Sequence, residues 1–583
     1  MKPLDRPFVL LDDARAAGAS PARLYRDPVD IVIARNPGEV SFALTRLKGE
    51  GRHLAGFMAY EAGHALERRT ASIAAATGVP LIWFGVFEGF EELSPDAVKQ
   101  LLPDPQSGWL GTPKPRLTRT EYGQAFARVM AYIAAGDIYQ ANLSFRADVH
   151  TAGHPLALYA GLRARAQAGY GGVVWTGEDW LVSLSPELFF ALRDQKMTTR
   201  PMKGTIRRGA TADEDRAAVE CLRGDPKQRA ENLMIVDLLR NDLSRVAVPG
   251  SVAVPALFAI ESYPTIHTMT STVTGQLRAG LGAVDIAAAI FPCGSITGAP
   301  KIRAMEIIGE VEPDGRGAYT GSIGRIDPDG SAAFNVAIRT LHLHEAESIG
   351  TLGLGGGIVS DSQVEEEWDE CLAKGRFVAD PRSLDLIETM RFDPAAGIHL
   401  LDRHIARIGN SARTFGIAFD RHAVRNELQA ATFRIDSPRR VRLMLSQTGR
   451  TAIEITPLPP VPVQPVEAAL VSLPVDPGDF RLRHKTSDRQ FYRDALAAVD
   501  TFEAVLVDPH GFVTEGCFTN VFVKGDGVLL TPPATRGLLP GVLREELLAN
   551  GTAIEADLTP GDLAGGFFLG NASRGLVEAR LKI

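Results

Sequence analysis

Short apolar runs alternate with polar turns along the chain and predict a mixture of strands and helices. Residues 120–136 place apolar side chains at helical spacing and predict a helix that begins after Thr120 as its N-cap. Residues 180–205 predict two strands joined by a polar turn, and residues 333–344 alternate as one strand. We therefore expect a fold of the α/β (α+β) class.

A glycine-rich turn begins the stretch at residues 291–310 and leads into an apolar-periodic segment, with Pro300 in the first turn of a predicted helix. The small residues of this turn build a nest of backbone N–H groups at a helix start, where an anion can dock. Residues 230–245 also have helical spacing, and Glu231 falls in the predicted first turn. The glycine-rich turn is the first candidate for a binding site.

The length of the chain and a break in its pattern indicate two domains. A chain of 583 residues exceeds what one hydrophobic core usually supports. Residues 378–383 interrupt the pattern and predict a linker, and a new strand follows at once. We predict one domain over residues 1–377 and a second over residues 384–583.

The charge balance excludes some classes of partner. With 62 Lys+Arg against 70 Asp+Glu, the net charge of −8 favours neither nucleic acid nor an anionic membrane. The four cysteines form no CxxC pair, which argues against a disulfide framework and a structural zinc site. The N-terminal apolar run is broken by Asp12 and Asp13, so we predict neither a signal peptide nor a membrane span. A reducing cytoplasm is the expected compartment.

The sequence of residues 291–310, FPCGSITGAPKIRAMEIIGE, closely resembles the signature of the chorismate-utilising enzymes. The resemblance covers most of residues 1–377 and implies a β-sandwich with peripheral helices that binds chorismate. The segment NVAIRT implies an arginine that holds a substrate carboxylate in a bidentate fork. The substrate-binding residues implied in this way are Thr297, Gly298, Tyr319, Arg339, Gly355, Gly356 and Gly357.

Two further residues select a reaction within this family. The segment PMKGT, which contains Lys203, resembles the PIKGT of aminodeoxychorismate synthases, whereas anthranilate synthases have alanine at the lysine position. The resemblance implies that Lys203 attacks ring carbon C2 as the C4 hydroxyl leaves, that Glu187 protonates this hydroxyl, and that ammonia then enters at C4. Gln140 stands where water-adding relatives have a basic lysine, and an amide cannot take that proton. At the position of an anthranilate synthase histidine stands Thr268, beside His267, for which we predict a structural role.

Three carboxylates imply a metal site. The helix with Glu231 resembles the family helix whose glutamate ligates Mg²⁺, and the segment EEEWDECLAKG places Glu367 and Glu370 on one helix face. Oxygen ligands suit Mg²⁺, which would hold the ring carboxylate of chorismate. We therefore expect Mg²⁺ at these three glutamates.

The second domain resembles the fold-type IV pyridoxal phosphate enzymes, which have two lobes. The segment RLRHKTSDRQFYRDAL resembles the one that holds the lysine bonded to the cofactor, here Lys485 between a strand and a helix. Glu515, on a predicted turn, would pair with the pyridine nitrogen. The residues implied at the cofactor phosphate are Arg407, Gly541, Val542, Asn571 and Ser573. Ala572 departs from the family pattern beside Ser573.

Together the two resemblances imply an enzyme that aminates chorismate to 4-amino-4-deoxychorismate and then removes pyruvate to leave 4-aminobenzoate for folate synthesis. No third domain with a nucleophilic cysteine is recognised, so ammonia would come from a separate glutamine amidotransferase, and a homodimer through the second domain stays open. One alternative is anthranilate synthase component I fused to a class IV aminotransferase. The other is that one of the two domains is catalytically silent and has a regulatory role.

Overall fold

The computed structural model describes residues 4–16, 18–73, 77–263, 266–345 and 347–582, which group into two units. The first unit contains Met1–Leu102, Thr112–Val149 and Tyr159–Ala379, and the second contains Pro103–Gly111, His150–Leu158 and Asp380–Ile583. The last division falls inside the predicted linker. Two short segments, 103–111 and 150–158, group with the second unit although the sequence suggested a single cut.

Polar side chains determine where several helices begin. The Thr118 hydroxyl accepts a hydrogen bond from the Glu121 N–H, and the Glu121 carboxylate accepts one from the Thr118 N–H. The helix is therefore confirmed, but its N-cap is Thr118 and the prediction of Thr120 is wrong. Asp225 caps the helix that carries Glu231, which starts at Pro226 and places Glu231 in its second turn instead of its first.

The α-helices of the described residues are Pro37–Gly49, Ala62–Leu66, Pro95–Leu101, Arg119–Ala134, Pro155–Ala166, Ala212–Gly224, Pro226–Ser244, Ala283–Ile290, Lys301–Val311, Val364–Gly375, Leu401–Thr414, Arg421–Thr432, Phe480–Arg483, Gln490–Ala497 and Val542–Ala549. Within that part of the chain, no helix is both long and apolar enough to cross a membrane.

The first unit contains two large, mainly antiparallel sheets. The order of the first, here called sheet A, is Gly298–Ala299, Gln140–Ala152, Ile349–Ile358, Thr340–His344, Asp179–Ser185, Tyr170–Trp175, Phe8–Asp12, Ala22–Arg26 and Glu91–Leu93, with Lys114–Pro115 beside Gln140–Ala152. The order of the second, sheet B, is Met202–Arg207, Ile266–Gln276, Lys196–Arg200, Leu188–Arg193, Ala332–Asn335, Ser322–Ile326, His53–Met58, Ile82–Phe87 and Asp30–Ala34, with Ala253–Ser262 beside Ile266–Gln276.

The hydrophobic core of this unit lies on both faces of sheet B. Val9 and Leu181 of sheet A and Phe57 and Trp83 of sheet B belong to one buried cluster, so the two sheets form a sandwich. On the other side of sheet B, residues of the helices Pro37–Gly49, Pro226–Ser244 and Ala283–Ile290 join a second cluster. Because both faces of sheet B are covered, a strand such as Ile82–Phe87 is buried along its whole length.

The chain passes between the two sheets at two neighbouring points. After Asp179–Ser185 in sheet A it enters Leu188–Arg193 in sheet B, and Glu187 lies in the connection. After Ala332–Asn335 in sheet B it enters Thr340–His344 in sheet A, and Arg339 lies in that connection with a positive φ of 51°. The single strands predicted across Glu187 and Arg339 are therefore wrong, because each is divided between two sheets.

The second unit contains two smaller sheets. The four-stranded sheet has the order Gly397–Ile398, Leu386–Asp393, Arg439–Leu445 and Thr451–Pro457 in the described residues. The eight-stranded sheet has the order Val513–Gly516, Glu503–Val507, Val466–Ser472, Gly575–Leu581, Phe567–Asn571, Asn520–Lys524, Leu529–Thr531 and Ala553–Glu555. The helices Leu401–Thr414 and Arg421–Thr432 pack on the smaller sheet. The proline-rich segment 458–465 joins the last strand of the smaller sheet to the larger one.

Gly172 lies where two neighbouring strands of sheet A approach each other closely. Its φ is +153°, and a Cβ atom would lie 2.1 Å from the carbonyl oxygen of Leu10. We expect Gly172→Ala to lower the free energy of unfolding by about 3 kcal/mol, because strain and overpacking add. Gly280→Ala, at φ +81° with no atom within 4 Å, should cost about 1 kcal/mol. Urea unfolding followed by the fluorescence of the stacked Trp175 and Trp180 measures both; equal losses would contradict the argument.

Candidate active sites

Glu187 is the buried acid of the first unit. Its side chain is 4% exposed, and Oε1 accepts a hydrogen bond from the Ser295 hydroxyl at 2.8 Å. Burial raises its pKa to about 7, although Ser295 and Lys203 act in the opposite direction. A carboxyl group with this pKa can give or take a proton near neutrality.

Lys203 lies on the strand Met202–Arg207 and approaches the glycine-rich strand Ile349–Ile358. A Cβ atom on Gly357 would lie 3.1 Å from Lys203 Nζ and 2.5 Å from Gln140 Nε2. Lys203 Nζ is also 3.2 Å from Glu231 Oε2. Gln140 is 1% exposed, and neither of its amide atoms has a hydrogen-bond partner in the described residues. An amine and an unsatisfied amide thus flank one point beside Gly357, which suits a polar ligand.

The glycine-rich turn is attached to the strand that carries Gln140. The fully buried Thr297 donates its hydroxyl to the carbonyl oxygen of Cys293 at 2.8 Å. Gly298 has a φ of +144°, and a Cβ there would lie 2.3 Å from the carbonyl oxygen of Gln140. A short strand, Gly298–Ala299, pairs with Gln140 and Ala141 before the helix Lys301–Val311 begins. The predicted direct passage from the turn into the helix, with Pro300 in its first turn, is wrong, since Pro300 is the N-cap.

Arg339 and Tyr319 are the two side chains predicted to hold a substrate carboxylate. Burial lowers the pKa of Arg339, and no carboxylate of the described residues forms an ion pair with it. Its guanidinium carbon lies 6.0 Å from the ring centroid of Phe377. Tyr319 packs on the glycine-rich strand, where a Cβ on Gly353 would lie 2.1 Å from the Tyr319 ring. An arginine without an acidic partner is suited to a substrate carboxylate. Of the predicted nest, Gly355 and Gly356 are buried within the strand.

The three carboxylates predicted to hold Mg²⁺ each have another partner. Glu231 faces Lys203, Lys374 Nζ lies 2.8 Å from Glu370 Oε1, and the Ser362 hydroxyl donates to Glu367 Oε1 at 2.6 Å. In the part of the chain that the structure describes, no group of three or more His, Cys, Asp or Glu side chains is arranged to hold a metal ion. The oxygen donors suit Mg²⁺ chemically, but their present arrangement does not assemble a site.

His267 and Thr268 take structural positions beside Lys203. His267 Nε2 lies 2.8 Å from Asp215 Oδ1, and its Nδ1 lies 2.8 Å from the Ser262 hydroxyl. The buried Thr268 hydroxyl donates to the carbonyl oxygen of Gly204 at 2.9 Å. Both side chains therefore stabilise the strands that position Lys203.

In the second unit, Lys485 lies between two helices, Phe480–Arg483 and Gln490–Ala497, so the predicted preceding strand is wrong. Its Nζ lies 3.4 Å from the Thr389 hydroxyl. Burial, followed by the charge of Arg407, lowers its pKa to about 7. A lysine with this pKa is partly neutral at physiological pH, as a lysine that bonds to a carbonyl cofactor must be.

Glu388 organises the side chains next to Lys485. It is 1% exposed and accepts hydrogen bonds from His404 Nδ1 at 2.6 Å and from Arg407 Nε and Nη2 at 2.8 and 2.7 Å. Burial alone would raise its pKa, but Arg407 and His404 hold it at about 2. Arg407 Nη1 also donates to the carbonyl oxygen of Pro540 at 3.2 Å, next to the predicted phosphate loop. Sequence reasoning missed Glu388 and His404; the signal was a glutamate inside the apolar strand LIETMRF.

Glu515 lies in the strand Val513–Gly516, not on the predicted turn. Its Oε1 accepts a hydrogen bond from the Tyr492 hydroxyl at 2.5 Å, and burial raises its pKa to about 7. Gly541 is the N-cap of the helix Val542–Ala549, whose first N–H groups receive no side-chain cap. This leaves backbone donors for an anion at the helix start.

Asn571 and Ser573 form a tight turn near this helix. Asn571 Oδ1 accepts hydrogen bonds from the N–H groups of Ser573 and Arg574, and its Nδ2 donates to the carbonyl oxygen of Phe518. Ser573 Oγ is shielded from solvent and has no partner in the described residues. A buried hydroxyl without a partner, uncapped helix N–H groups and a lysine of low pKa fit pyridoxal phosphate chemically.

Two known families match the chain, each over a different range of residues. The family described as chorismate binding enzyme matches residues 35–380, and the family described as amino-transferase class IV matches residues 385–581. The chain belongs to the chorismate binding enzyme family and carries a class IV amino-transferase domain after it. The predicted mixed α/β fold class is thereby confirmed, and the second family implies pyridoxal phosphate.

Relatives with two different named activities are similar to part of the chain. Aminodeoxychorismate synthase component 1 of Klebsiella aerogenes is 44% identical over 258 residues, covering 44% of this chain and 57% of that protein. Anthranilate synthase component 1 of Pseudomonas putida is 42% identical over 259 residues, covering 44% of this chain and 52% of that protein. The chain spans about half the length of these relatives. The crystal structure of anthranilate synthase component I from Streptococcus pneumoniae has a TM-score of 0.53 at 25% identity and covers 65% of this chain and 93% of its own.

The Glu388 network leads to a prediction for the second unit. Because its folded pKa of about 2 lies below the ordinary value of 4.5, Glu388 stabilises the fold above pH 4.5, and this stabilisation is lost as pH falls toward 2. We expect Glu388→Gln to lower the free energy of unfolding at pH 7 by about 3 kcal/mol, with Arg407 left unpaired. Urea unfolding followed by circular dichroism from pH 7 to pH 3 should show the difference shrinking. Glu454→Gln, at an exposed carboxyl of the same sheet, is the control, and a loss equal to that of Glu388→Gln would contradict the assignment.

Proposed function

We propose that this protein aminates chorismate to 4-amino-4-deoxychorismate and then releases pyruvate to leave 4-aminobenzoate. The observation that carries the first step is the position of Lys203, whose amine lies beside Gly357 and Gln140. The charge of Lys203 also acts on Glu187, where it lowers the pKa of the carboxyl group. The match to the chorismate binding enzyme family supports chorismate as the substrate. The class IV amino-transferase match supports the second step.

In the first step Lys203 acts as nucleophile and Glu187 as acid. Lys203 Nζ, which lies 3.2 Å from Glu231 Oε2, must give up its proton before it can attack. The neutral amine attacks C2, the two conjugated double bonds of the ring both shift, and the C4 hydroxyl leaves as water with the proton of Glu187. Ammonia then attacks C4, both double bonds return, and Lys203 is expelled as the neutral amine. The proton that the new C4 amine loses restores the acid form of Glu187. Arg339 and Tyr319 hold the substrate carboxylate in place.

Glu231, Glu367 and Glu370 are the proposed ligands of a bound Mg²⁺ ion. When bound it would neutralise the ring carboxylate of chorismate. Binding requires these carboxylates to exchange their present Lys203, Ser362 and Lys374 partners for the ion. The steps above depend only on the side chains of the chain itself.

In the second step the proposed residues hold pyridoxal phosphate and move one proton. Arg407, Gly541, Val542, Asn571 and Ser573 would hold the phosphate, and Glu515 would face the ring nitrogen. The cofactor, when bound, supplies an electron sink. Lys485, with a pKa of about 7, can take the proton from the substrate carbon that bears the amine and pass it to the departing enolpyruvyl group, which leaves as pyruvate.

Anthranilate synthase fused to a class IV aminotransferase is the nearest competing function. The identities of 44% and 42% do not separate the two reactions. Lys203 favours amination at C4, because anthranilate synthases resemble this segment but have alanine there. Thr268, which supports the Lys203 strand through Gly204, replaces the histidine expected of that enzyme. A chain with one silent domain is less well supported, since both sites contain titratable groups with a pKa near 7.

A separate glutamine amidotransferase is the proposed source of ammonia, in keeping with the words "component 1" in the names of the relatives. The product, 4-aminobenzoate, would serve folate synthesis. A homodimer through the second unit remains a proposal without a supporting contact.

Product analysis tests the proposed function. The purified chain, loaded with pyridoxal phosphate, is incubated with chorismate, Mg²⁺ and ammonium at mildly alkaline pH, and the aromatic products are identified by mass. We expect 4-aminobenzoate and pyruvate from the wild type, no amination from Lys203→Ala, and accumulation of 4-amino-4-deoxychorismate from Lys485→Ala. The exposed Lys196→Ala and Lys524→Ala are the matched controls and should retain activity. Anthranilate as the product would overturn the proposal.

A pH profile tests the acid role of Glu187. Because the protonated form is the donor, the rate of amination at constant free ammonia should fall as pH rises above about 7. Glu187→Gln should lower kcat by about 100-fold or more and remove this limb of the profile. The exposed Glu178→Gln, in the same part of the chain, is the control. An unchanged limb in Glu187→Gln would assign the proton to another group.

A further inference from the structure

A cavity of about 320 Å³ lies in the first unit and has no role in the sites described above. Its walls come from residues 60–64 at one side and residues 308–316 at the other, together with Ile73. At about 30 Å³ for each water molecule, it has room for a small polar ligand and its hydration shell.

Two buried polar atoms in the cavity wall have no hydrogen-bond partner among the residues that the structure describes. Tyr60 is 1% exposed and His64 is 4% exposed, and neither the Tyr60 hydroxyl nor His64 Nδ1 makes a hydrogen bond within the described residues. Burial lowers the pKa of His64 to about 4, so the ring is neutral and presents an acceptor nitrogen. Unsatisfied buried polar atoms are costly, and acceptors of this kind are satisfied by a ligand with N–H groups.

The charges around the cavity favour a cation. Glu61, Glu312 and Asp314 line it, against one cation in the lining, Arg316. Arg316 is already neutralised by Glu312, to which its Nη2 and Nε donate at 2.7 and 2.9 Å. Arg146 donates to the carbonyl oxygen of Gly315 and offsets a second carboxylate. The three carboxyl groups of the lining thus outnumber the two arginines by one, and although burial raises the pKa of Glu61, the lining disfavours an anionic ligand.

The inner wall of the cavity is also the back of the substrate turn. Arg316 Nη1 donates to the carbonyl oxygen of Ile296 at 3.0 Å, inside the glycine-rich turn. The Tyr60 hydroxyl lies close enough to the Thr297 side chain for that side chain to affect its pKa. Glu312 Oε1 accepts a hydrogen bond from the Ser144 N–H at 2.7 Å, and Ser144 packs on Gly355. A ligand in the cavity would therefore lie one residue layer behind the candidate chorismate site.

We propose that this cavity binds the ammonium ion whose nitrogen is used at C4, an inference that rests on the proposed amination. The Tyr60 hydroxyl and the His64 ring accept its N–H groups, and the excess carboxylate attracts its charge. The ion gives up one proton to a carboxylate of the lining before its nitrogen attacks C4 as neutral ammonia. The turn over residues 294–298 then separates the nitrogen source from the ring that it attacks.

The first test is the KM for ammonium at saturating chorismate and constant ionic strength. Tyr60→Phe and His64→Leu each remove one acceptor, and we expect each to raise this KM about tenfold. The KM for chorismate and the kcat at saturating ammonium should stay within twofold. Tyr25→Phe is the matched control, because it removes another buried hydroxyl without a partner that lies outside the cavity. An ammonium KM within twofold of wild type in both variants would overturn the inference.

A second test does not require catalysis. Methylammonium chloride is titrated into the full-length chain by calorimetry, with sodium chloride at equal ionic strength as the reference. We expect binding to the wild type and to Tyr25→Phe, and about tenfold weaker binding to Tyr60→Phe and His64→Leu. Binding without any amination of chorismate would keep the cavity as an amine-cation site and remove the proposed function. Amination with methylammonium binding that is equal in all variants would keep the function and remove the cavity site.

Discussion

The two neighbouring passages between sheets A and B are the constraint on which the first site depends. Each passage takes a residue out of a regular strand and places it in the connection from one sheet to the other. The Val336 N–H donates to the carbonyl oxygen of Glu187 at 3.1 Å, and the Leu184 N–H donates to that of Arg339 at 3.0 Å. The two connections are therefore hydrogen-bonded to each other's strands, and the proposed acid and the proposed carboxylate-binding cation are positioned by backbone geometry. The positive φ of Arg339 is a strained conformation of the kind that occurs at binding sites.

Burial shifts pKa values in both units, upward for carboxyl groups and downward for lysine. Desolvation raises the pKa of Glu187 and Glu515 to about 7 and lowers that of Lys485 to about 7. Glu388 is equally buried, yet Arg407 and His404 hold its pKa at about 2. Direct ion pairing therefore decides which buried carboxyl remains charged, and this separates structural charges from groups that can exchange a proton.

Local sequence motifs led to most of the candidate site residues, whereas the residues that they missed are brought together by tertiary contacts. The segments around Lys203, Thr297 and Lys485 were recognisable because a few adjacent residues carry each motif. Alternation continues through Pro186 and through residues 336–339, so it cannot reveal that the strand changes sheet. Glu388 meets Arg407 across 19 positions, and Tyr60 faces Arg316 across the fold, contacts that no local pattern encodes. Helix starts were misplaced by two to four residues because the capping aspartate and threonine precede the apolar pattern.

The environment of Lys203 gives its two carboxyl neighbours different roles. Glu187 is enclosed by the turn through Ser295 and has a pKa near neutrality, whereas Glu231 lies half-buried on a helix and contacts the lysine directly. If both carboxyls were equally exposed, neither would be held protonated and the departing hydroxyl would lack a donor. If both were equally buried beside the lysine, Lys203 would remain an ion-paired ammonium and would not act as a nucleophile. The asymmetry follows from position alone, because one carboxyl lies where the chain passes between sheets and the other on a helix at the sheet edge.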